Sequence, residues 1–193
     1  MCVFVSYRYN AKVNFTEGRC PGSRAMVFDN WMASVTVPNV NIRDCDYTIA
    51  FWIRLLDPHA GADIFGLSKS GNRLTLPTDV MFAFFCREVS TATLTWIYLT
   101  CVESFSGVVM NNWTHVAVTC EQDNRVQIFF NGEIASITQW LNFSYPKKEF
   151  FTLRTQHLNE MFVIDYYHST VIMDLHILGF ALPRDEIDDL YRG

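Results

Sequence analysis

Residues 113–135 read WTHVAVTCEQDNRVQIFFNGEIA, and their spacing decides the fold. Val116, Val118 and Cys120 put apolar side chains on every second position, and Val126, Ile128 and Phe130 repeat the alternation against Arg125, Gln127 and Phe129. Period two is the repeat of a pleated strand with one face turned to a core. The second run ends on Asn131-Gly132, the dipeptide that most readily takes the positive φ angles of a type I′ turn. A strand, a second strand and a tight hairpin are expected here.

Moving outward, Tyr47, Ile49, Phe51, Ile53 and Leu55 place apolar side chains on one face of a strand, with Thr48, Ala50, Trp52 and Arg54 on the other. Further strands are expected at Met26–Asp29, Ser34–Val37, Val80–Phe85, Thr95–Val102, Glu149–Leu153, Met161–Tyr166 and Val171–Phe180. Only the tail changes period: after Pro183, Ile187, Leu190 and Tyr191 recur at helical spacing, with Asp185 and Glu186 where the dipole of a first turn favours acids. A short closing helix is expected. The 193 residues are about half hydrophobic, enough for one well-filled core, and the 16 Phe, 8 Tyr and 5 Trp suit pleated surfaces. The fold class is all-β, a two-sheet antiparallel β-sandwich of jelly-roll type with a short C-terminal helix.

Composition also excludes partners. A net charge of −5 with no basic tract argues against nucleic acid. No apolar run reaches the length of a spanning helix, so no membrane insertion by this domain is expected. The first residues, MCVFVSYRYNAKVNF, lack the basic start and long apolar core of a signal peptide, so a secreted domain would be a mature fragment. Three N-x-S/T triplets, at Asn14, Asn112 and Asn142, are candidate glycan acceptors. Six cysteines with no C-x-x-C fit a disulfide framework better than a zinc or redox site. Together these place the chain outside the cell, secreted or as the ectodomain of a membrane protein.

Three blocks carry a family resemblance: YTIAFWIRL, then WTHVAVTCEQDNRVQIFFNGEIA, then VIMDLHILGFALPRDEIDDLYRG. With MVFDN near residue 26 they resemble the laminin G-like and pentraxin-like domains of the concanavalin A-type jelly-roll superfamily. The matching residues are Phe51 and Trp52; Trp113, His115, Val116, Ala117 and Val118; Asn131 and Gly132; Glu186, Ile187, Leu190 and Tyr191. The resemblance covers about residues 26–193, which implies a domain over 25–193 with residues 1–24 as an extension packed on it. The matched residues read as structural. Trp113 and His115 share one strand face, where a histidine is ordinarily packed and hydrogen-bonded rather than catalytic.

The same superfamily implies glycoside hydrolases with paired acids on a strand, in a pattern resembling Glu-x-Asp-x-x-Glu. Here Glu186-Ile187-Asp188 begins that pattern, but Pro183 and the apolar spacing put it on the terminal helix, and the second Glu is missing. No catalytic residue is assigned. Relatives also hold calcium in rim loops through oxygen ligands, and candidate oxygens stand at Asp63, Asn72, Asp79, Asp123, Asn124 and Asp165. Turn formation accounts for the same residue types. Calcium is the one cofactor the resemblance raises.

Cys45 precedes the Tyr47 strand and Cys120 ends the Trp113 strand, so antiparallel neighbours would bring the two within disulfide reach. Cys2 and Cys20 would then staple the extension. Cys86 and Cys101 remain, a pair that needs a wide or bulged connection. The loops over 57–61, 68–78 and 139–148 carry exposed-type residues, and in the last Trp140 and Tyr145 could stack on a sugar or anchor a protein, or simply pack locally. The expected function is a non-catalytic extracellular recognition module for a protein or glycan partner. A self-associating structural module is the alternative, and the residues disfavour a polysaccharide hydrolase.

Overall fold

A computed structural model describes the backbone of residues 8–9, 13–29, 34–40, 46–56, 62–68, 80–88, 93–98, 101–105, 110–121, 125–139, 149–157 and 169–193, and the side chains of 13–29, 46–56, 110–121, 125–137 and 169–193. In chain order the elements are β1 (Arg8–Tyr9), β2 (Asn14–Glu17), β3 (Arg24–Phe28), β4 (Ser34–Val40), β5 (Tyr47–Leu55), β6 (Ala62–Ser68) and β7 (Val80–Glu88). There follow β8 (Thr93–Tyr98), β9 (Cys101–Phe105), β10 (Thr114–Cys120), β11 (Arg125–Phe130), β12 (Glu133–Gln139), β13 (Glu149–His157), β14 (Thr170–Leu178) and α1 (Arg184–Arg192). The strands form two seven-stranded antiparallel sheets, ordered β1-β4-β13-β6-β7-β8-β9 and β12-β11-β10-β5-β14-β3-β2.

The second sheet is built around residues 113–135. β10 lies between β5 and β11, with Val116 opposite Phe51 on one side and Phe130 on the other. Tyr47, Ile49, Phe51 and Ile53 are fully buried, as are Val116 and Val118. They share the face that a sandwich turns toward its second layer. Sequence alternation would leave the opposite face to solvent, yet Thr48, Ala50 and Trp52 are buried as well. That face has its own cover, and the cover defines the site described below.

Several expectations shift in detail. Thr95–Val102, expected as one strand, divides between β8 and β9, which are antiparallel neighbours with Tyr98 opposite Cys101. β6 falls between two stretches expected as loops. The expected Met161–Tyr166 strand lies outside the described residues. Of residues 1–24, β1 pairs with β4 and β2 pairs with β3. The expected run Val171–Phe180 is β14, which carries a bulge between Met173 and His176 with Asp174 at φ 50° and ends at Leu178. The closing helix forms as read, with Pro183 at its N-cap, Asp185 and Glu186 in the first turn, and Gly193 at its C-cap.

Candidate functional site

The outer face of the second sheet is covered by α1 and by the turn joining β2 to β3. The hairpin residues determine how the helix sits. Asn131 and Gly132 have φ of 50° and 80°, as a type I′ turn requires. The Asn131 N–H donates to the His115 carbonyl at 2.9 Å, and its Oδ1 accepts from the His115 N–H at 2.9 Å, so this side chain extends the β10 ladder. Gly132 is needed twice over, since a Cβ there would stand 3.0 Å from Asp188 Oδ1 and 3.2 Å from Tyr191 Cδ1. A Cβ here would push against the helix side chains, so glycine suits this close approach.

Under the helix, Ile187 is fully buried against Ala50, Ala117, Phe129 and Leu182, with Leu178 and Leu190 packed around them. Thr48 fixes the incoming loop: its Oγ1 donates to the Phe180 carbonyl at 2.9 Å and accepts from the Leu182 N–H at 2.8 Å. Beside this cluster the rings of Trp52, His115 and Tyr191 meet, with centroids 5.2 Å apart for Trp52 and His115, 5.6 Å for Trp52 and Tyr191, and 6.1 Å for His115 and Tyr191. Arg19, from the β2–β3 turn, lays its guanidinium 4.0 Å over the Trp52 ring, and the Arg19 backbone N–H donates to Met173 Sδ at 3.2 Å. A second cation–π contact places Arg54 5.0 Å above Trp113.

His115 is 1% exposed, and its Nδ1 is buried with no hydrogen-bond partner among the described residues. Burial, then the nearby His176, then Arg19 hold its pKa down to about 4. At neutral pH it is an uncharged ring in an aromatic stack. The expectation of a packed side chain holds, although its partners are rings rather than hydrogen-bonding groups at Nδ1. Of the residues that carried the sequence resemblance, Trp52, His115, Asn131, Gly132, Ile187, Leu190 and Tyr191 thus converge on one structural assembly.

The surface above this assembly has a polar cavity of about 500 Å³ lined by Gly132, Glu133, Arg184, Asp185, Asp188 and Arg192. Four of its five charged groups form ion pairs: Arg184 pairs with Glu133 at 2.9 Å, and Arg192 pairs with Asp188 one helical turn away. Glu186 is exposed on the same helix. The acid pattern therefore stands outside both sheets, and an inward-facing carboxylate pair for glycoside cleavage does not arise from it.

The remaining expected site residues are placed as follows. Asn14 is exposed on β2, and its Nδ2 donates to the Asp29 carboxylate at 3.4 Å. Asn112 is exposed in the turn before β10; Asn142 lies outside the described residues. Cys120 is opposite Tyr47, two residues after Cys45, so the strands are neighbours as the Cys45–Cys120 reading required, while Cys45 itself is outside the described residues. Cys20 is exposed in the β2–β3 turn, and Cys2 is outside the described residues. The register does not bring Cys86 and Cys101 together. Cys86 opposes Leu94 on β8, Cys101 opposes Tyr98, and β8 stands between them. Two strand spacings of about 4.8 Å exceed the roughly 7 Å Cα limit of a disulfide before the four-residue offset is added. Of the calcium candidates, Asp63 is on β6, opposite Phe85 and Gln156, rather than in a loop. Asn72, Asp79, Asp123, Asn124 and Asp165, like Trp140 and Tyr145, lie outside the described residues. Among the described residues no group of three acidic, histidine or cysteine side chains could hold a metal ion, and no helix is long and apolar enough to cross a membrane.

Two sheets of antiparallel strands, a buried inner face on the second sheet and a helix over its outer face define a β-sandwich. Residues 29–188 match the laminin G family model of the concanavalin A-like lectin/glucanases superfamily, and the chain belongs to that family. No curated protein matches the sequence. Among solved structures, the chain is similar to the receptor binding domain of botulinum neurotoxin type G, with a TM-score of 0.71 and 13% identity over 97% of this chain and 46% of that one. It is also similar to the binding domain of paraclostridial mosquitocidal protein 1, with a TM-score of 0.71 and 15% identity over 97% and 47%. A third similar structure belongs to botulinum neurotoxin type C, whose cell entry depends on interaction with two ganglioside molecules; its TM-score is 0.70 with 16% identity over 97% and 46%. At these identities the likeness is one of fold, and this chain spans just under half of each of those structures.

Proposed function

We propose that this domain is a non-catalytic extracellular recognition module that binds a glycan or a protein partner. The observation that carries the reading is the fold it shares with the binding domains of botulinum neurotoxin type G and paraclostridial mosquitocidal protein 1, and with a structure of botulinum neurotoxin type C, whose cell entry depends on interaction with two ganglioside molecules. Supporting it, the Glu186-Ile187-Asp188 pattern lies on α1, with Asp188 paired to Arg192. The residues matched to the family hold the helix on the sheet, and this leaves loops at the rims to carry recognition. Trp140 and Tyr145 are the proposed contact residues, with calcium as the ion that would order rim oxygens.

The test is binding of the purified domain to an array of glycans that includes ganglioside headgroups, in millimolar calcium and again in EDTA, beside a turnover assay on polysaccharides. Specific capture without turnover supports the reading, and loss in EDTA adds the calcium. Hydrolysis that is abolished in Glu186→Gln or Asp188→Asn would overturn it. One observation favours self-association as a second reading: β12 is an edge strand of its sheet and exposes Ile134 and Ile137, at 37% and 56%. Light scattering across a concentration series separates the two.

A further inference from the structure

Among the described residues the second sheet has no strand beyond β12 on one side or β2 on the other, and the two edge strands differ in what stands on them. β2 has four residues, Asn14-Phe15-Thr16-Glu17, without proline or lysine, and Phe15 on it is 45% exposed beneath the Arg24 guanidinium, 4.9 Å from its ring centroid. Edge strands carrying exposed apolar side chains are templates for association unless something covers them. On β2 the covering group can be read from the sequence itself, because Asn14-Phe15-Thr16 is an acceptor triplet and Asn14 is exposed.

The register locates the second exposed acceptor. Asn14 opposes Val27, Val27 opposes Val171, and Val171 opposes Arg54, while the Asn111 N–H donates to the Leu55 carbonyl. Asn112 therefore stands at the same end of the sheet as Asn14 but four strands away, about 19 Å by strand spacing. It is near the middle of that end and far from the edge.

We propose that Asn14 is N-glycosylated and that its glycan guards the β2 edge against pairing with a second copy of the chain. The inference rests on the extracellular reading above. In the modifying step the Asn14 Nδ2 forms a bond to the anomeric carbon of a lipid-linked oligosaccharyl pyrophosphate. The carbon–oxygen bond to that pyrophosphate breaks, and the pyrophosphate leaves with the electron pair as the amide loses one proton. A glycan on Asn112 would occupy the same rim without reaching the edge, and this makes Asn112 the internal control.

The experiment directs the whole chain through the secretory route of a eukaryotic cell behind a cleavable signal sequence. Enzymatic deglycosylation in ¹⁸O water then marks each occupied asparagine as labelled aspartate in peptide mass spectra. Light scattering compares wild type with Asn14→Gln, Thr16→Ala, Thr16→Ser and Asn112→Gln. Thr16→Ala removes the acceptor while keeping the Asn14 side chain, and Thr16→Ser keeps both. The expected result is label at Asn14 and at least a doubling of mean mass in Asn14→Gln and Thr16→Ala, with Thr16→Ser and Asn112→Gln matching wild type. Unlabelled Asn14, or Asn14→Gln and Thr16→Ala variants with the wild-type mass, would overturn it. Because the route through the cell is imposed, this outcome is independent of whether the arrayed glycans are bound.

Discussion

His115 should make the stability of this domain fall with acid in a window that one substitution removes. The folded protein holds this imidazole neutral, with its pKa lowered to about 4, whereas the unfolded chain returns it to the ordinary value of 6.5. Above pH 6.5 neither state binds the proton and the site is indifferent to pH. Between 6.5 and about 4 the unfolded state binds more protons than the native one, so stability is lost as pH falls through that interval. Below the folded pKa both states are protonated and the loss levels off. At about 1.4 kcal/mol for each pH step, the full loss is about 3 kcal/mol, and about 2 kcal/mol of it is complete by pH 5. For a chain of this length 2 kcal/mol corresponds to about 5 °C in Tm. The charged groups facing the ring are His176 on β14 and Arg19 from the β2–β3 turn, with Tyr191 from α1 and Trp52 from β5 as its ring neighbours. Protonation would thus add a cation beside Arg19 where no partner awaits the Nδ1 proton. The assay is urea unfolding at pH 7, 6 and 5 of wild type and of His115→Phe, which keeps an aromatic ring in the stack and removes the titrating group. The difference between the two should shrink or reverse in the variant's favour by about 2 kcal/mol from pH 7 to pH 5. Parallel losses in both proteins would refute the assignment of the acid sensitivity to His115.

Three further outcomes follow from the same assembly. Gly132→Ala should cost clearly more than Gly22→Ala in urea unfolding: both sit at φ near 80°, worth about 1–2 kcal/mol of strain, but a Cβ meets nothing within 4 Å at Gly22 and meets Asp188 and Tyr191 at Gly132. Ile187→Ala should lose about 2–5 kcal/mol by emptying the space against Ala50, Ala117 and Phe129, read as a lower urea midpoint with an unchanged slope. Thr48→Val should lose about 1–3 kcal/mol by unpairing the half-buried Phe180 carbonyl and the buried Leu182 N–H, and hydrogen exchange at Leu182 should accelerate with it.

What the sequence disclosed depended on how local the signal was. β5, β10 and β11 were legible because their alternation is unbroken, and the Asn131-Gly132 turn because its residues are chemically suited to positive φ. The division between β8 and β9 was hidden because Leu99-Thr100 carries none of the Gly, Pro, Asn or Asp that marks a tight turn. β6 was hidden because ADIFGLS mixes Asp and Gly into an irregular pattern. Trp113 and His115 were read onto one face. That Arg19 lies on Trp52 and Tyr191 beside His115 depends on register across strands distant in the chain, and no local pattern encodes it.

The cover on the outer face also bears on the order of folding. Trp52 is enclosed by Arg19, His115, Met173 and Tyr191, residues drawn from nearly the whole length of the sequence. Contacts of such separation must wait until the intervening chain has been made and its loops closed. A nascent chain that has reached β11 is therefore expected to hold Ala50, Trp52, Ala117 and Phe129 open to solvent, and to bury them only when α1 emerges and docks. Tryptophan fluorescence followed during refolding should then report a late phase that Ile187→Ala slows, and during synthesis the exposed face is the natural point of engagement for a chaperone.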